Sequence, residues 1–306
     1  MVDTVLSVQD VSKRFGRYQV LNHLSLTVHR GDIYALIGEN GAGKTTLMRL
    51  ICGLSPLRQG AIMLLGEDAR HYRMALRRTG AIIESPAAYS KLTVTQNLHL
   101  TAIQHGLSDY QEIGRAIAFV GLTEKRKTKA GHLSLGQKQR LGLATAILAH
   151  PDFLVLDEPI NGLDPTGIVE FRQLLHRLNA EFGTTILISS HILGELYQVA
   201  TVFGFLKNGT IIKELSKQAL DQENAGGLRL VVDSVEGAAE LLDVQGIKQF
   251  TVINDHEISV APGQIEAPAL NAMLVKAGIA VTSITQQSRS LEEYFTQLIK
   301  KGGGCA

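Results

Sequence analysis

The spacing of apolar and polar positions changes several times along the chain, and each change marks a different kind of element. Residues 1 to about 30 alternate one by one, as in Val5-Leu6-Ser7-Val8 and Val20-Leu-Asn-His-Leu-Ser-Leu-Thr-Val28. That two-residue period predicts antiparallel strands with one buried face. Ile33-Tyr-Ala-Leu-Ile37 is a continuous apolar run instead, which predicts a strand buried on both faces and feeding a helix that starts near Gly43. From Thr93 to His150 the pattern is helical, with turns at residues 106–109 and 128–131. Ser134 is placed as an N-cap, and Leu141, Ala144, Ile147 and Leu148 share the apolar face of the helix that follows it. Residues 153–156 form a second buried strand. Ile168, Phe171, Leu174, Leu175, Leu178 and Phe182 line one face of a helix stopped by Gly183. Further buried strands fall at residues 184–188 and 202–206, and Asn208-Gly209 is a hairpin turn signal. Strand alternating with helix predicts an α/β fold with a mainly parallel sheet covered on both faces, preceded by an antiparallel β subdomain.

Residues 222–227 are polar and glycine-containing, the pattern of a linker. Beyond them the order is strand (228–232), helix (237–242), strands (250–253 and 258–260), helix (267–276), strand (281–284) and a last helix (291–300). The expected organisation is a nucleotide-binding domain over residues 1–221, with a helical subdomain at about 85–150. The linker 222–227, a small α+β accessory domain over 228–301 and a disordered tail at 302–306 follow.

The chemistry begins where the first buried strand ends. Gly38-Glu39-Asn40-Gly41-Ala42-Gly43-Lys44-Thr45, followed by Thr46, has the spacing of a phosphate loop. Glycines let the backbone approach phosphate oxygens, exposed N–H groups form an anion nest, and the helix N-terminus adds about half a positive charge. Lys44 supplies a point charge for the β- and γ-phosphates and the Thr45 hydroxyl a magnesium ligand. Asp157 ends the second buried strand. A carboxylate there is costly unless it serves a charge, which fits a metal role. Glu158 follows it as the natural general base for an attacking water.

Composition narrows the classes. Of 306 residues, 45% are apolar, ample for a packed core, and the net charge of +1 gives no support to nucleic-acid binding. Cys52 and Cys305 are the only cysteines and lie far apart, so neither a disulfide framework nor a zinc site is suggested. Cys52 falls in an apolar run and reads as a buried thiol. Residues 1–10 lack the basic start and apolar core of a signal peptide. The apolar-rich stretch 184–206 is interrupted by Ser189, Ser190, His191, Glu195 and Gln198, so no membrane span is expected.

Leu133-Ser134-Leu135-Gly136-Gln137-Lys-Gln-Arg140, just ahead of Phe153-Leu-Val-Leu-Asp157-Glu158-Pro159, separates this chain from other phosphate-loop proteins. The combination resembles the ATPases of the ABC (ATP-binding-cassette) transporters over residues 1 to about 217. The resemblance implies that ATP and Mg2+ are bound and that Ser134, Gly136 and Gln137 contact ATP held by a second, identical cassette. Phe15 in Lys13-Arg14-Phe15-Gly16 matches the aromatic that stacks on adenine. Asn161-Gly-Leu-Asp164 matches the D-loop, which crosses the dimer interface, and His191 in Ser189-Ser190-His191 the switch histidine at the γ-phosphate. Glu158, His191 and Lys44 are then the catalytic set, and Thr45, Asp157 and Glu84 the metal set.

Two positions depart from the family pattern. The usual signature has two consecutive glycines, and Leu135 replaces the first. In Ala81-Ile-Ile-Glu84-Ser-Pro86, glutamate stands where most cassettes carry a glutamine that touches magnesium and faces the permease; Gln96 is a rival for the missing amide. Glu84, with Leu92-Thr-Val-Thr-Gln-Asn97-Leu after it, is similar to the ATPases of lantibiotic-immunity and bacitracin-resistance exporters. The expected function is ATP hydrolysis that powers a separate polytopic membrane permease for antimicrobial-peptide export. Such a subunit is cytoplasmic and peripheral on the inner face of the membrane. The alternative is a soluble ABC ATPase acting on the ribosome or nucleic acid, which usually has two tandem cassettes or a long coiled-coil insertion, and basic surfaces; no nucleic-acid partner is expected.

Overall fold

The one-by-one alternation of the first thirty residues builds β1 (Thr4–Phe15) and β2 (Tyr18–His29), paired antiparallel. The computed structural model describes residues 3–288 and 291–301. The chain divides into two compact units, Met1–Lys217 and Gln218–Ala306.

In the first unit the buried run Ile33–Ile37 is β3, and α1 (Lys44–Ile51) follows the phosphate loop. Then come β4 (Gln59–Leu64), α2 (Tyr72–Arg77), β5 (Thr79–Ile82) and the helices α3 (Val94–His105), α4 (Gln111–Phe119) and α5 (Leu135–Ile147). The unit closes with β6 (Phe153–Asp157), α6 (Pro165–Phe182), β7 (Thr185–Ser190), α7 (Leu193–Tyr197), β8 (Val202–Lys207) and β9 (Thr210–Ser216). Strands β2, β1 and β4 form a three-stranded antiparallel sheet, and the six-stranded sheet runs β5-β6-β7-β3-β8-β9. All its pairings are parallel except that of β9, which returns through Asn208-Gly209. Every residue of β3, β6 and β7 is buried, as in central parallel strands covered on both faces. Leu24 of β2, Tyr34 of β3, Leu47 and Met48 of α1 and Phe153 of β6 belong to one core. Each fully buried side chain of this size contributes about 1.5–3 kcal/mol, so the phosphate loop is anchored on both sides. Phe182 departs from the expected buried face. It is 55% exposed at the last turn of α6, where its ring meets Phe119 edge-on at 5.7 Å.

β4, α2 and β5 do not stand out in the sequence. Their apolar positions are sparse: one residue of α2, Ala75, is buried, and β4 buries alternate residues only at its end.

The second unit contains α8 (Lys217–Asn224), β10 (Ala225–Val232), α9 (Val235–Val244), β11 (Phe250–Asn254), β12 (Glu257–Val260), α10 (Ala267–Lys276), β13 (Val281–Ser288) and α11 (Leu291–Lys301). Its antiparallel sheet runs β11-β12-β10-β13. From β10 onward the β-α-β-β-α-β order is that of the split βαβ motif. Leu228, Leu230, Ile258 and Val260 share a core with Leu242, Leu270 and Leu274. The linker reading of residues 222–227 is corrected here: they close α8 and open β10. The glycine at 227 answers to close packing, since a Cβ there would lie 1.9 Å from the Val260 carbonyl oxygen. Residues 302–306, read as a tail, lie outside the described residues.

Candidate functional site

The site is built at the C-terminal ends of β3, β6 and β7. β3 delivers Gly38 to Gly43, with Glu39, Asn40 and Gly41 exposed and Ala42 buried. Gly43 caps α1 in the left-handed region (φ 111°), and a Cβ there would meet Leu21 Cδ2 at 2.7 Å, so only glycine fits. Lys44 is 5% exposed and donates to the carbonyls of Gly38 (2.8 Å) and Glu39 (3.2 Å). Its Nζ also lies 3.3 Å from Glu158 Oε1. Thr46, next on α1, is half-buried.

One turn of α1 and the end of β6 meet here. The Thr45 hydroxyl donates to Asp157 Oδ2 at 2.7 Å, and the Ser189 hydroxyl donates to Asp157 Oδ1 at 2.6 Å. Asp157 is buried with both oxygens engaged, which answers the cost of placing a carboxylate at the end of a buried strand. Ser189 Oγ also accepts the Glu158 backbone N–H at 3.0 Å. Glu158 sits at a positive φ of 46°, and its Oε2 lies 2.7 Å from His191 Nδ1. Lys44, Glu158 and His191 therefore form one chain of contacts.

A second constellation forms at the starts of α5 and α6. Ser134 caps α5 through a capping box: Ser134 Oγ accepts from the Gln137 N–H at 3.3 Å, and Gln137 Oε1 accepts from the Ser134 N–H at 3.2 Å. The cap uses a hydroxyl lone pair and leaves the O–H proton free to donate elsewhere. Asp164 caps α6, its Oδ1 accepting from the Gly167 N–H at 2.7 Å. Both starts open on one cavity of about 420 Å³ lined by Ser134, Gly136, Gln137 and Asp164 among others. The start of α5 favours an anion there, while at the start of α6 the Asp164 carboxylate already occupies that place.

Phe15 ends β1 beside Tyr18, its cross-strand partner, and is 52% exposed, with Lys13 Nζ 5.4 Å from its ring centroid. A flat, half-exposed aromatic face is available for stacking. Glu84 is outside the Thr45–Asp157 network. It has a φ of 64° and accepts a hydrogen bond from Arg49 Nη2 at 2.5 Å. Gln96 is the N3 residue of a capping box with Thr93 at the start of α3, so its side chain is committed there.

The ABC transporter family profile matches residues 21–161. The bacitracin transport ATP-binding protein BcrA of Bacillus licheniformis is 38% identical over 305 residues, which cover 99% of each chain.

The chain belongs to the ABC transporter ATP-binding family. The lantibiotic transport ATP-binding protein SrtF of Streptococcus pyogenes is 40% identical over 210 residues, covering 69% of this chain and 90% of that one. Among solved structures, an ABC transporter ATP-binding subunit is 32% identical, with a TM-score of 0.65 over 72% of this chain and 93% of that one. A dimeric post-hydrolysis cassette bound to ADP and Pi has a TM-score of 0.64 over 70% of this chain and 99% of that one; at 22% identity it speaks for the fold alone.

This ABC protein is an ATPase. The ribosomal or nucleic-acid alternative is not favoured, since its relatives are transport ATP-binding proteins. No helix among the described residues is long and apolar enough to cross a membrane. The donor set at the phosphate loop fits magnesium, which takes one or two hard protein oxygens and completes its shell with water and phosphate: the Thr45 hydroxyl and the Asp157 carboxylate are already within 2.7 Å.

Ser189 and Arg49 were missed as site residues. Ser189 stands two residues before His191 on β7, and Arg49 is one helical turn beyond Thr45, so the i, i+4 rule was a usable signal for it. A larger groove of about 640 Å³, lined by Phe119, Ile147, Leu178 and Phe182 among others, shares no residue with either constellation.

Proposed function

We propose that this ATPase is the motor of an antimicrobial-peptide exporter of the bacitracin or lantibiotic kind, working as a pair of identical cassettes on a separate polytopic permease at the inner face of the membrane. The observation that carries this reading is the end-to-end match to the bacitracin transport ATP-binding protein, 99% of both chains. The lantibiotic transport relative matches 69% of this chain, whereas the bacitracin-type match extends over the second unit as well.

The residues divide the work as follows. The glycine-rich loop and the α1 N-terminus receive the β- and γ-phosphates of ATP, and Lys44 turns from the Gly38 and Glu39 carbonyls onto them. Phe15 stacks on the adenine. Magnesium, when bound, draws charge from the phosphate oxygens, and Thr45 with Asp157 would hold it, with Glu84 as a candidate third oxygen. Ser189 fixes the Asp157 carboxylate. Glu158 takes the proton of the attacking water, and His191 orients Glu158 and faces the γ-phosphate. Ser134 and Gly136 of one cassette, with Gln137 and Asp164 beside them, close over the ATP held by the other. Closing buries the water-attack geometry and donates to the γ-phosphate from the start of α5, stabilising developing charge. Hydrolysis removes that bridging phosphate and reopens the pair, and the permease uses the movement.

The test is purification of the membrane partner. Co-purification with a polytopic membrane subunit, together with loss of bacitracin- or lantibiotic-type peptide protection when Glu158→Gln replaces the wild type, is the expected result. A chain that associates with no membrane protein and whose loss leaves peptide sensitivity unchanged contradicts it.

A further inference from the structure

Leu135 stands where the family signature usually has its first glycine, and its side chain is 47% exposed. A half-exposed apolar side chain at the mouth of this cavity gains little from burial there. Its contacts show another use. Leu135 Cδ2 lies 2.9 Å from the place a Cβ on Gly162 would occupy, and Gly162 is the second residue of the D-loop Asn161–Asp164. The relationship is reciprocal: Leu163 Cδ2 lies 3.6 Å from the Cβ position of Gly136. A leucine from each loop covers a glycine of the other. The helices that follow the two loops are joined by a partly exposed ion pair between Arg140 of α5 and Glu170 of α6. Arg140 also donates to the Val120 carbonyl at 3.3 Å.

We propose that Leu135 is a positioning residue that locks the D-loop of its own chain to the signature segment, so that both meet the second cassette as one rigid surface. This rests on the two-cassette reading above. Gly162 has a φ of 76° and no side chain of its own, so a glycine at 135 would leave this turn with the freedom of two facing glycines. Leu135 removes that freedom before the partner arrives, and the entropy of ordering the loop is not charged against closure. In each cassette the lock therefore acts on closure and turnover. Binding of ATP to the chain's own phosphate loop does not depend on it.

The test is a double-mutant cycle of Leu135→Gly and Gly162→Ala, read as kcat, KM for ATP, and binding of a fluorescent ATP analogue to the monomer. Leu135→Gly is expected to lower kcat about 10-fold while monomer binding stays within about 2-fold; Leu135→Met, which refills the space, restores activity. Gly162→Ala is expected to cost about 3-fold more in the wild-type background than in the L135G background, because the added methyl meets the movable tip of Leu135. Backbone strain at the left-handed position is common to both arms and cancels. Because the contact is within one chain, the same non-additivity should appear in the melting temperature of the ATP-free protein, a readout open even to variants with little turnover. Equal effects of Gly162→Ala in both backgrounds, or wild-type kcat in L135G, overturn the proposal. ATP-driven dimerisation of Glu158→Gln separates the two ideas. If that variant dimerises and the cycle is additive, the lock alone fails; if it stays monomeric, the two-cassette reading fails and the lock with it.

Discussion

Lys44 Nζ lies 3.3 Å from Glu158 Oε1, so a cation and a carboxylate pair across the phosphate loop. In the proposed mechanism the γ-phosphate competes with Glu158 for Lys44 and leaves the carboxylate without its cation. Substrate binding and release of the base are then one event.

Lys44→Ala removes the phosphate partner. Hydrogen bonds to charged groups contribute about 1.5–3 kcal/mol, so ATP affinity is expected to fall roughly 10- to 150-fold. Titration with a fluorescent ATP analogue measures it; unchanged affinity would contradict the assignment of Lys44.

His191→Ala should act on turnover instead. His191 Nδ1 holds Glu158 Oε2 at 2.7 Å, so losing it misdirects the base while the phosphate loop is intact. Phosphate release is expected to fall about 100-fold, within the usual range for acid–base residues, with ATP affinity within about 2-fold. An equal loss of affinity would point to a binding role.

Arg49 and Glu84 form an exposed pair, and such pairs contribute at most about 1 kcal/mol to stability. Glu84→Gln and Arg49→Ala should therefore leave the melting temperature and ATP binding nearly unchanged while altering ATP turnover or its coupling to peptide protection. If both variants keep wild-type turnover and wild-type protection, Glu84 has no part in the site.

Asp152, just before β6, tests the frame beneath the site. The Arg78 guanidinium, bonded to it at 2.8 Å, holds the Asp152 carboxyl below the usual carboxylate range. A depressed folded value contributes stability above the unfolded value of about 3.9 that is lost as the pH falls through the folded one. The pair is about one-third exposed on the Asp152 side, so Asp152→Asn should cost no more than about 1 kcal/mol at pH 7. The difference in urea midpoint between variant and wild type should shrink on acidification below about pH 4. A gap that is constant with pH would remove Arg78 as its cause.

The central sheet was legible because buried parallel strands write themselves as apolar runs: Ile33–Ile37 and Phe153–Asp157 are buried throughout. The caps at Ser134 and Gly183 were legible for the same local reason. Residues 59–82 were not, because β4, α2 and β5 bury few side chains of their own. Gly226-Gly227 resembled a linker because composition cannot tell a flexible glycine from one squeezed against the Val260 carbonyl. At the site, the motifs pointed to Thr45 and Asp157, while the Ser189 hydroxyl that joins Asp157 to the Glu158 N–H emerged from the strand pairing of β6 with β7. The pairing of Arg49 with Glu84 depends on a loop whose path sequence does not encode by period. Leu135, a departure without a reason in the sequence, acquires one from its contact with Gly162.

Association of the Glu158→Gln variant with Mg-ATP tests the central claim most directly. With the base removed, ATP stays intact between phosphate loop and signature segment, and light scattering after gel filtration should show the mass of two chains with ATP and of one chain with ADP. A variant that binds ATP and remains a single chain would contradict the paired-cassette mechanism.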